Sequence, residues 1–222
     1  MNNQKTLAVL GGTGNEGKGL ALRWANAGYK VILGSRSAEK AAEVAEEMNA
    51  ILGSSNVSGS GNVQAAEQAD IAVLTVPYSA QRAVVEEVQH ALSGKILVDV
   101  TVPLKPPRVF QVQLPDNGSA VQAVQTFLGD GVKVVSAFQN ISAHHLTDLD
   151  YQFDCEVLVC GDDAEACETV IQMSEAIGLH AWHAGVLANS VVAEALTSVL
   201  IAINKRYKTP SAGIRITGVN AA

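Results

Sequence analysis

A short apolar run, Thr6–Leu10, leads into Gly12-Thr13-Gly14-Asn15-Glu16-Gly17, and apolar residues then recur at helical spacing from Glu16 to Ala27. A strand that passes through a glycine-rich turn straight into a helix leaves a chain few folds. Each glycine of the Gly-x-Gly-x-x-Gly pattern has a mechanical part. Gly12 permits the tight turn, Gly14 lets the backbone approach a pyrophosphate, and Gly17 lets the helix lie close on the strand. A helix opening near Asn15 directs free N–H groups and its positive dipole end at the same point.

The alternation continues down the chain. Strands are expected at Tyr29–Leu33, Ile71–Val76, Ile96–Val100 and Val132–Ala137, and helices at Ala38–Leu52, Ala80–Leu92 and Ala120–Leu128. That order makes a mainly parallel sheet covered on both faces, a doubly wound Rossmann-type α/β fold. Gly53–Gly61 reads as a loop with a short strand around Val57. Prolines at 103, 106, 107 and 115 exclude regular structure from much of Val102–Pro115, expected as a long surface loop beside the site. After Ala137 the pattern changes: Glu156–Val159, Ala164–Ile177, Leu179–Trp182 and Val186–Tyr207 read as strand, helix, strand and long helix.

The residues after the second strand select the dinucleotide. An NAD site places a carboxylate there to accept hydrogen bonds from the ribose hydroxyls. This chain has Gly34-Ser35-Arg36, with Lys40 one helical turn on. Ser35 can donate to a 2′-phosphate, and Arg36 and Lys40 can neutralise it. The expected cofactor is NADP(H), held by Gly12, Thr13, Gly14, Asn15, Glu16, Gly17, Ser35, Arg36 and Lys40. The strand ends add Thr75, Val76, Pro77, Val102 and Ala137, with Val76-Pro77 offering a flat, dry surface to the nicotinamide.

Composition narrows the partners. A net charge of −7 argues against nucleic acid and anionic membranes. Asn189, Ser190 and Glu194 interrupt the apolar stretch Val186–Ile203, which reads as a buried or partner-facing helix rather than a membrane span. Its apolar circumference exceeds one buried face, so a homodimer is expected. Cys155, Cys160 and Cys167 lack metal or redox-motif spacing, and with no signal peptide in view the cytoplasm is the expected compartment.

No side chain is singled out as catalytic and none as a metal ligand. A Tyr-x-x-x-Lys relay is missing, and no nucleophile has a base at a recognisable spacing. His144-His145, and His180 and His183 around Trp182, read as structural. Asp163 reads as a helix cap with Asp162, and Asp99 as buried and hydrogen-bonded. Asn189 and Glu194 are candidates to reach the cleft, with Glu194 equally able to pair across a dimer interface.

"LAVLGGTGNEGKGLALRWANAGYKVILGSRS", "DIAVLTVP", "VVSAF" and "VLVCGDD" together resemble the NADPH-dependent coenzyme F-420 (F420) reductases. The resemblance implies a hydride passing directly between the nicotinamide and a stacked deazaflavin, a step that needs positioning and water exclusion. It places Phe138, Gln139, Asn140 and Ile141 against the acceptor. Archaeal members carry a His and a Pro where this chain has Gln139 and Ser142. "AFQNISA" is similar instead to the segment of bacterial relatives and of the NADPH domains of STEAP metalloreductases, which reduce a flavin. The acceptors in view are therefore F-420, FMN, FAD or a ferric chelate, with a non-catalytic NADPH-binding redox sensor as the rival class. Hydroxyacid dehydrogenase relatives, which carry a Lys before an Asn on the corresponding helix, fit less well: no lysine lies between Val186 and Asn204. Residues 1–140 are expected to form the NADP-binding Rossmann domain, and 141–222 a smaller lobe that completes the acceptor site and the dimer interface.

Overall fold

The computed structural model describes residues 5–219. Its strands are β1 (Thr6–Leu10), β2 (Lys30–Ser35), β3 (Val57–Gly61), β4 (Ile71–Leu74), β5 (Ile96–Asp99), β6 (Lys133–Ser136), β7 (Val157–Gly161) and β8 (Ala181–His183). They form one sheet in the order β3-β2-β1-β4-β5-β6-β7-β8. The first six are parallel; β7 runs antiparallel to β6, and β8 parallel to β7. The helices are α1 (Asn15–Asn26), α2 (Ala38–Leu52), α3 (Asn62–Gln68), α4 (Tyr78–Val88), α5 (Ala120–Leu128), α6 (Ala164–Glu175) and α7 (Ser190–Tyr207).

Successive strand residues point to opposite faces, which splits the core in two. Leu7, Val9, Val31 and Leu33 pack with α1, α2 and α6. Ala8, Leu10, Ile32 and Leu74 pack with α3, α4 and α5. Polar caps fix three helix starts: Ser37 accepts from Lys40 N at 3.2 Å, Ser119 from Gln122 N at 3.0 Å and Asp163 from Ala166 N at 2.8 Å.

Three departures from the sequence expectation have physical causes. Gly53–Gly61 contains a full strand, β3, paired with β2 from Val31↔Val57 to Ser35↔Gly61. Its glycine content reflects close packing: a Cβ on Gly59 would lie 2.2 Å from the carbonyl carbon of Ala41 in α2. Helix α3 was not expected, because its buried face is only Asn62, Ala65 and Ala66 and shows no bulky apolar period. Strands β4, β5 and β6 stop at Leu74, Asp99 and Ser136, earlier than expected, leaving residues 75–77, 100–103 and 137–141 as loops on one sheet edge.

The last helix is tied down by a buried carboxylate. Glu194 Oε1 accepts from Ser119 Oγ at 2.6 Å and Val121 N at 3.2 Å, and Oε2 accepts from Ala120 N at 2.8 Å. Glu194 therefore satisfies the open N–H groups of α5 within its own chain and is 1% exposed. That corrects the reading of it as a cleft residue or a partner across a dimer. Asn189 is corrected too: its Nδ2 donates to Ala184 O at 2.8 Å and the residue lies outside the cleft.

Because α2 rests backbone-to-backbone on β3, Gly59→Ala should lower stability by about 2 kcal/mol or more, the scale of core overpacking. Gly131→Ala, where an added Cβ meets nothing within 4 Å, is the matched control. Urea midpoints of the two variants test this, and equal midpoints would contradict the packing account.

Candidate active site

The glycine turn is stapled to the second strand. Gly11 N and Gly12 N both donate to Gly34 O, at 3.0 and 3.1 Å. A Cβ on Gly12 would come within 2.7 Å of Val9 O, and one on Gly17 within 2.4 Å of Thr75 Oγ1, the hydroxyl that donates to Leu10 O at 2.9 Å. These two glycines are required by the protein's own packing. Gly14 differs: it is exposed, and its Cβ would meet only Gly11 O, at 3.5 Å. Space is kept open there for something outside the chain.

The staple at Gly34 sets Ser35, Arg36 and Lys40 beside the turn. Ser35 is half-buried and its Oγ accepts from Ser37 N at 3.3 Å. Arg36 and Lys40 are exposed, and neither side chain has an ion-pair partner among the described residues. Unpaired cations beside a helix N-terminus suit an added phosphate.

A cleft of about 550 Å³ opens where β4, β5 and β6 end, between the first turn of α1, the Pro-rich loop and α7. Of the residues expected from sequence, Gly14, Asn15, Glu16, Thr75, Val76, Pro77, Val102, Gln139 and Ile141 line it. Gly12 and Thr13 stay in the turn, Gly17 lies in the first turn of α1 against Thr75, and Ser35, Arg36 and Lys40 lie on the β2 side. Ala137 and Phe138 are buried beneath the cleft. Asn140 turns away, donating to Glu156 O at 2.7 Å and bordering a smaller cavity of about 120 Å³. The cleft also takes in Tyr78, which closes the expected strand-end run from Thr75, and Ser79, Leu104, Pro106, Val109 and Thr197, which the sequence did not single out. Strand-end placement marks the first two; Thr197 sits inside a long helix and carries no local signal.

The loop after β6 holds its shape under strain. Phe138 has φ 72°, a left-handed conformation unusual for a bulky residue. It is fully buried and packs edge-on against Trp24, with ring centroids 5.8 Å apart. The next residue is thereby fixed: Gln139 Nε2 donates to Asp99 O and Gln139 O accepts from Thr197 Oγ1, both at 2.7 Å. Gln139 Oε1 is left buried without a partner, on a residue that lines the cleft. An orphaned polar atom at a cleft wall fits a ligand that bears hydrogen-bonding groups.

Asp99, fully buried, accepts from Gln81 Nε2 at 2.7 Å and Thr101 N at 2.9 Å, and burial raises its pKa. Glu16 is half-buried at the cleft wall; burial first, and the Asp99 charge second, raise its pKa to about 8. His145 is engaged away from the cleft, stacked on Tyr151 at 3.8 Å and 3.1 Å from Ser211 Oγ.

Residues 6–103 match the family described as NADP oxidoreductase coenzyme F420-dependent. An F420-dependent NADP reductase of Methanocaldococcus jannaschii is 41% identical over 224 residues, covering 96% of this chain and 98% of the relative. The chain belongs to the F420-dependent NADP reductases. A solved structure offered as a candidate F420-dependent NADP reductase of Arthrobacter sp. FB24 superimposes with TM-score 0.80 at 25% identity, over 96% of this chain and 99% of that one. The metalloreductase STEAP3 of Rattus norvegicus is 30% identical over 185 residues, 83% of this chain but 35% of that protein.

Within this reductase family, the open face at Gly14 yields a test of the cradle. Gly14→Val should fold, since its side chain meets no packed atoms, yet lose dinucleotide binding because it fills the approach path. Calorimetric titration with NADPH on the folded variant checks this; retained affinity would show that the cradle lies elsewhere.

Proposed function

We propose that the protein transfers a hydride between NADP(H) and coenzyme F420 stacked in the main cleft. One observation carries the reading. The hydrogen bonds from Gly11 and Gly12 to Gly34 hold the unpaired cations Arg36 and Lys40 beside the glycine turn, whose next residues, Gly14, Asn15 and Glu16, line the largely apolar cleft. The curated relatives named F420-dependent NADP reductases support the acceptor.

Bound together, the two coenzymes supply the hydride donor and the hydride acceptor. The chain's own work is to bind, orient and dry them. Arg36, Lys40 and Ser35 hold the 2′-phosphate, and the turn at Gly12–Gly14 and the first turn of α1 hold the pyrophosphate. Val76 and Pro77 back the nicotinamide. Gln139 and Ile141 form the acceptor side, with Phe138 supporting them from beneath and Asn140 bracing the loop from behind, and residues 141–222 complete it as the smaller lobe. Leu104, Pro106 and Val109 of the Pro-rich loop exclude water from one flank. Lys105 and Arg108 on that loop are exposed and suit an anionic acceptor tail. Arg82 does not, because it is paired with Glu86 at 2.5 Å and stacked over Phe127.

We further propose a cytoplasmic homodimer. The segment Leu187–Tyr207 is long and apolar enough to cross a membrane by length and composition, but Ser190, Glu194 and Ser198 are buried on one side. Val192, Val199 and Ile203 are exposed on α7, a face suited to a second copy. Light scattering at micromolar concentration should give twice the chain mass; a monomer would refute the dimer. Free thiols at Cys155, Cys160 and Cys167 fit a reducing compartment, and a net charge of −7 fits a protein that binds neither nucleic acid nor membranes.

A second reading has a specific basis. Gln139 and Ser142 stand where archaeal members carry His and Pro, and the STEAP3 match spans this region, so an FMN, FAD or ferric chelate acceptor is the alternative. Spectrophotometry of NADPH oxidation against F420, FMN, FAD and ferric citrate separates the two. Turnover with F420 supports the proposal, flavin or ferric turnover alone transfers it to the alternative, and none at all leaves a redox sensor. For the cofactor, Arg36→Ala should weaken NADPH binding by about 2 kcal/mol, the scale of a charge-assisted hydrogen bond, and spare NADH. Equal losses would remove Arg36 from the 2′-phosphate site.

A further inference from the structure

Glu16 is the one carboxyl among the described residues that line the main cleft, and it has neither a hydrogen-bond nor an ion-pair partner there. Its neighbours in the lining include the apolar Val76, Val100, Val102 and Ile141, and no lysine, arginine or histidine shares that lining. Asp99, buried at the end of β5, adds a second acid behind it. An anion so placed is unfavourable unless a cation arrives in the cleft. The nicotinamide ring is cationic when oxidised and neutral when reduced.

We propose that Glu16 makes the cleft discriminate the two redox states of the cofactor, its carboxylate favouring the cationic ring of NADP+ over the neutral ring of NADPH. This rests on the reading of the cleft as the nicotinamide site. The balance is simple. Two electrons and a hydrogen pass as hydride to the acceptor, which takes one proton from solvent to complete its reduction; the ring left behind gains one positive charge, and the Glu16 O–H bond breaks with its proton going to solvent. Glu16 becomes the counter-charge that the cleft otherwise lacks, and it is a discriminating residue rather than a participant in hydride transfer.

The ionisable groups around Glu16 are few. Asp99 is engaged by Gln81 and Thr101, and Tyr78 lines the cleft at the start of α4. Lys18 on α1 is paired with Glu47 at 3.2 Å, and His144 borders a separate depression with Asn15 and Lys18. Glu194 on α7 is held by Ser119 and the start of α5. With its pKa raised to about 8 in the free protein, Glu16 is neutral at neutral pH and ionises as the solution turns alkaline. The preference for NADP+ therefore grows with rising pH. The 2′-phosphate also ionises, but both redox forms carry it and it cancels in their ratio.

The test is calorimetric titration of the full chain with NADP+ and with NADPH between about pH 6.5 and about pH 9.5. For the native protein the ratio of the two dissociation constants should move toward NADP+ by roughly tenfold across that range, a modest share of the Coulomb attraction at short distance. In Glu16→Gln and Glu16→Met the ratio should stay flat. A flat ratio in the native protein, or an undiminished slope in both variants, overturns the role of Glu16 alone. Absence of binding by either form at every pH overturns the nicotinamide reading together with it.

Discussion

One buried cation, Arg23, joins the two parts of this molecule that must stay in register. Its Nε donates to Leu146 O at 2.9 Å, and its terminal nitrogens reach His145 O, Asp148 O, Tyr151 O and Ile177 O. The guanidinium also lies 4.4 Å from the ring centre of Phe153. Without it the buried carbonyls of Leu146 and Ile177 would lose this donor, a cost of about 1–3 kcal/mol for a buried acceptor left unpaired. Arg23 sits on α1, the helix whose first turn faces the cleft. The next residue, Trp24, donates to Met173 O at 2.9 Å and supports Phe138. The glycine turn with α1 and the loop around Phe138 are thus two ends of one rigid connection.

That connection shows how packing far from the cleft can fix the shape of its wall. Phe138 holds a strained φ of 72° because Trp24 leaves its ring one place to go. The strain fixes Gln139, whose amide nitrogen and carbonyl are both committed, so its free Oε1 is presented in one orientation. Glu194 does the matching work on the other side. By capping α5 from α7 it sets the helix that carries Thr197 into the cleft wall. Positioning is invested in buried polar contacts that bring together residues far apart in sequence.

Much of the fold was legible because local signals agreed. Thr6–Leu10, the glycine turn and the caps at Ser37, Ser119 and Asp163 each mark an element edge within a few residues. The cleft-lining residues from strand ends were legible for the same reason, since ligands in open parallel sheets lie there. What escaped depends on distant packing. Gly59 looks like a loop residue until the α2 backbone is seen resting on it, and α3 hides behind alanines. Glu194 reads as a surface or interface charge until the N–H groups of Ala120 and Val121 at the start of α5 are placed against it. Arg23 gave no local signal, because its carbonyl partners lie more than a hundred residues away.

The central claim is that this scaffold lets hydride pass directly from one ring to another, with the side chains positioning rather than relaying. Isotope transfer tests it most directly. Single-turnover reduction of F420 in ordinary water, with NADPH carrying deuterium in both positions at the nicotinamide C4, should place deuterium on C5 of the reduced deazaflavin without dilution by solvent. Loss of the label to water, with protium at C5, would contradict the account.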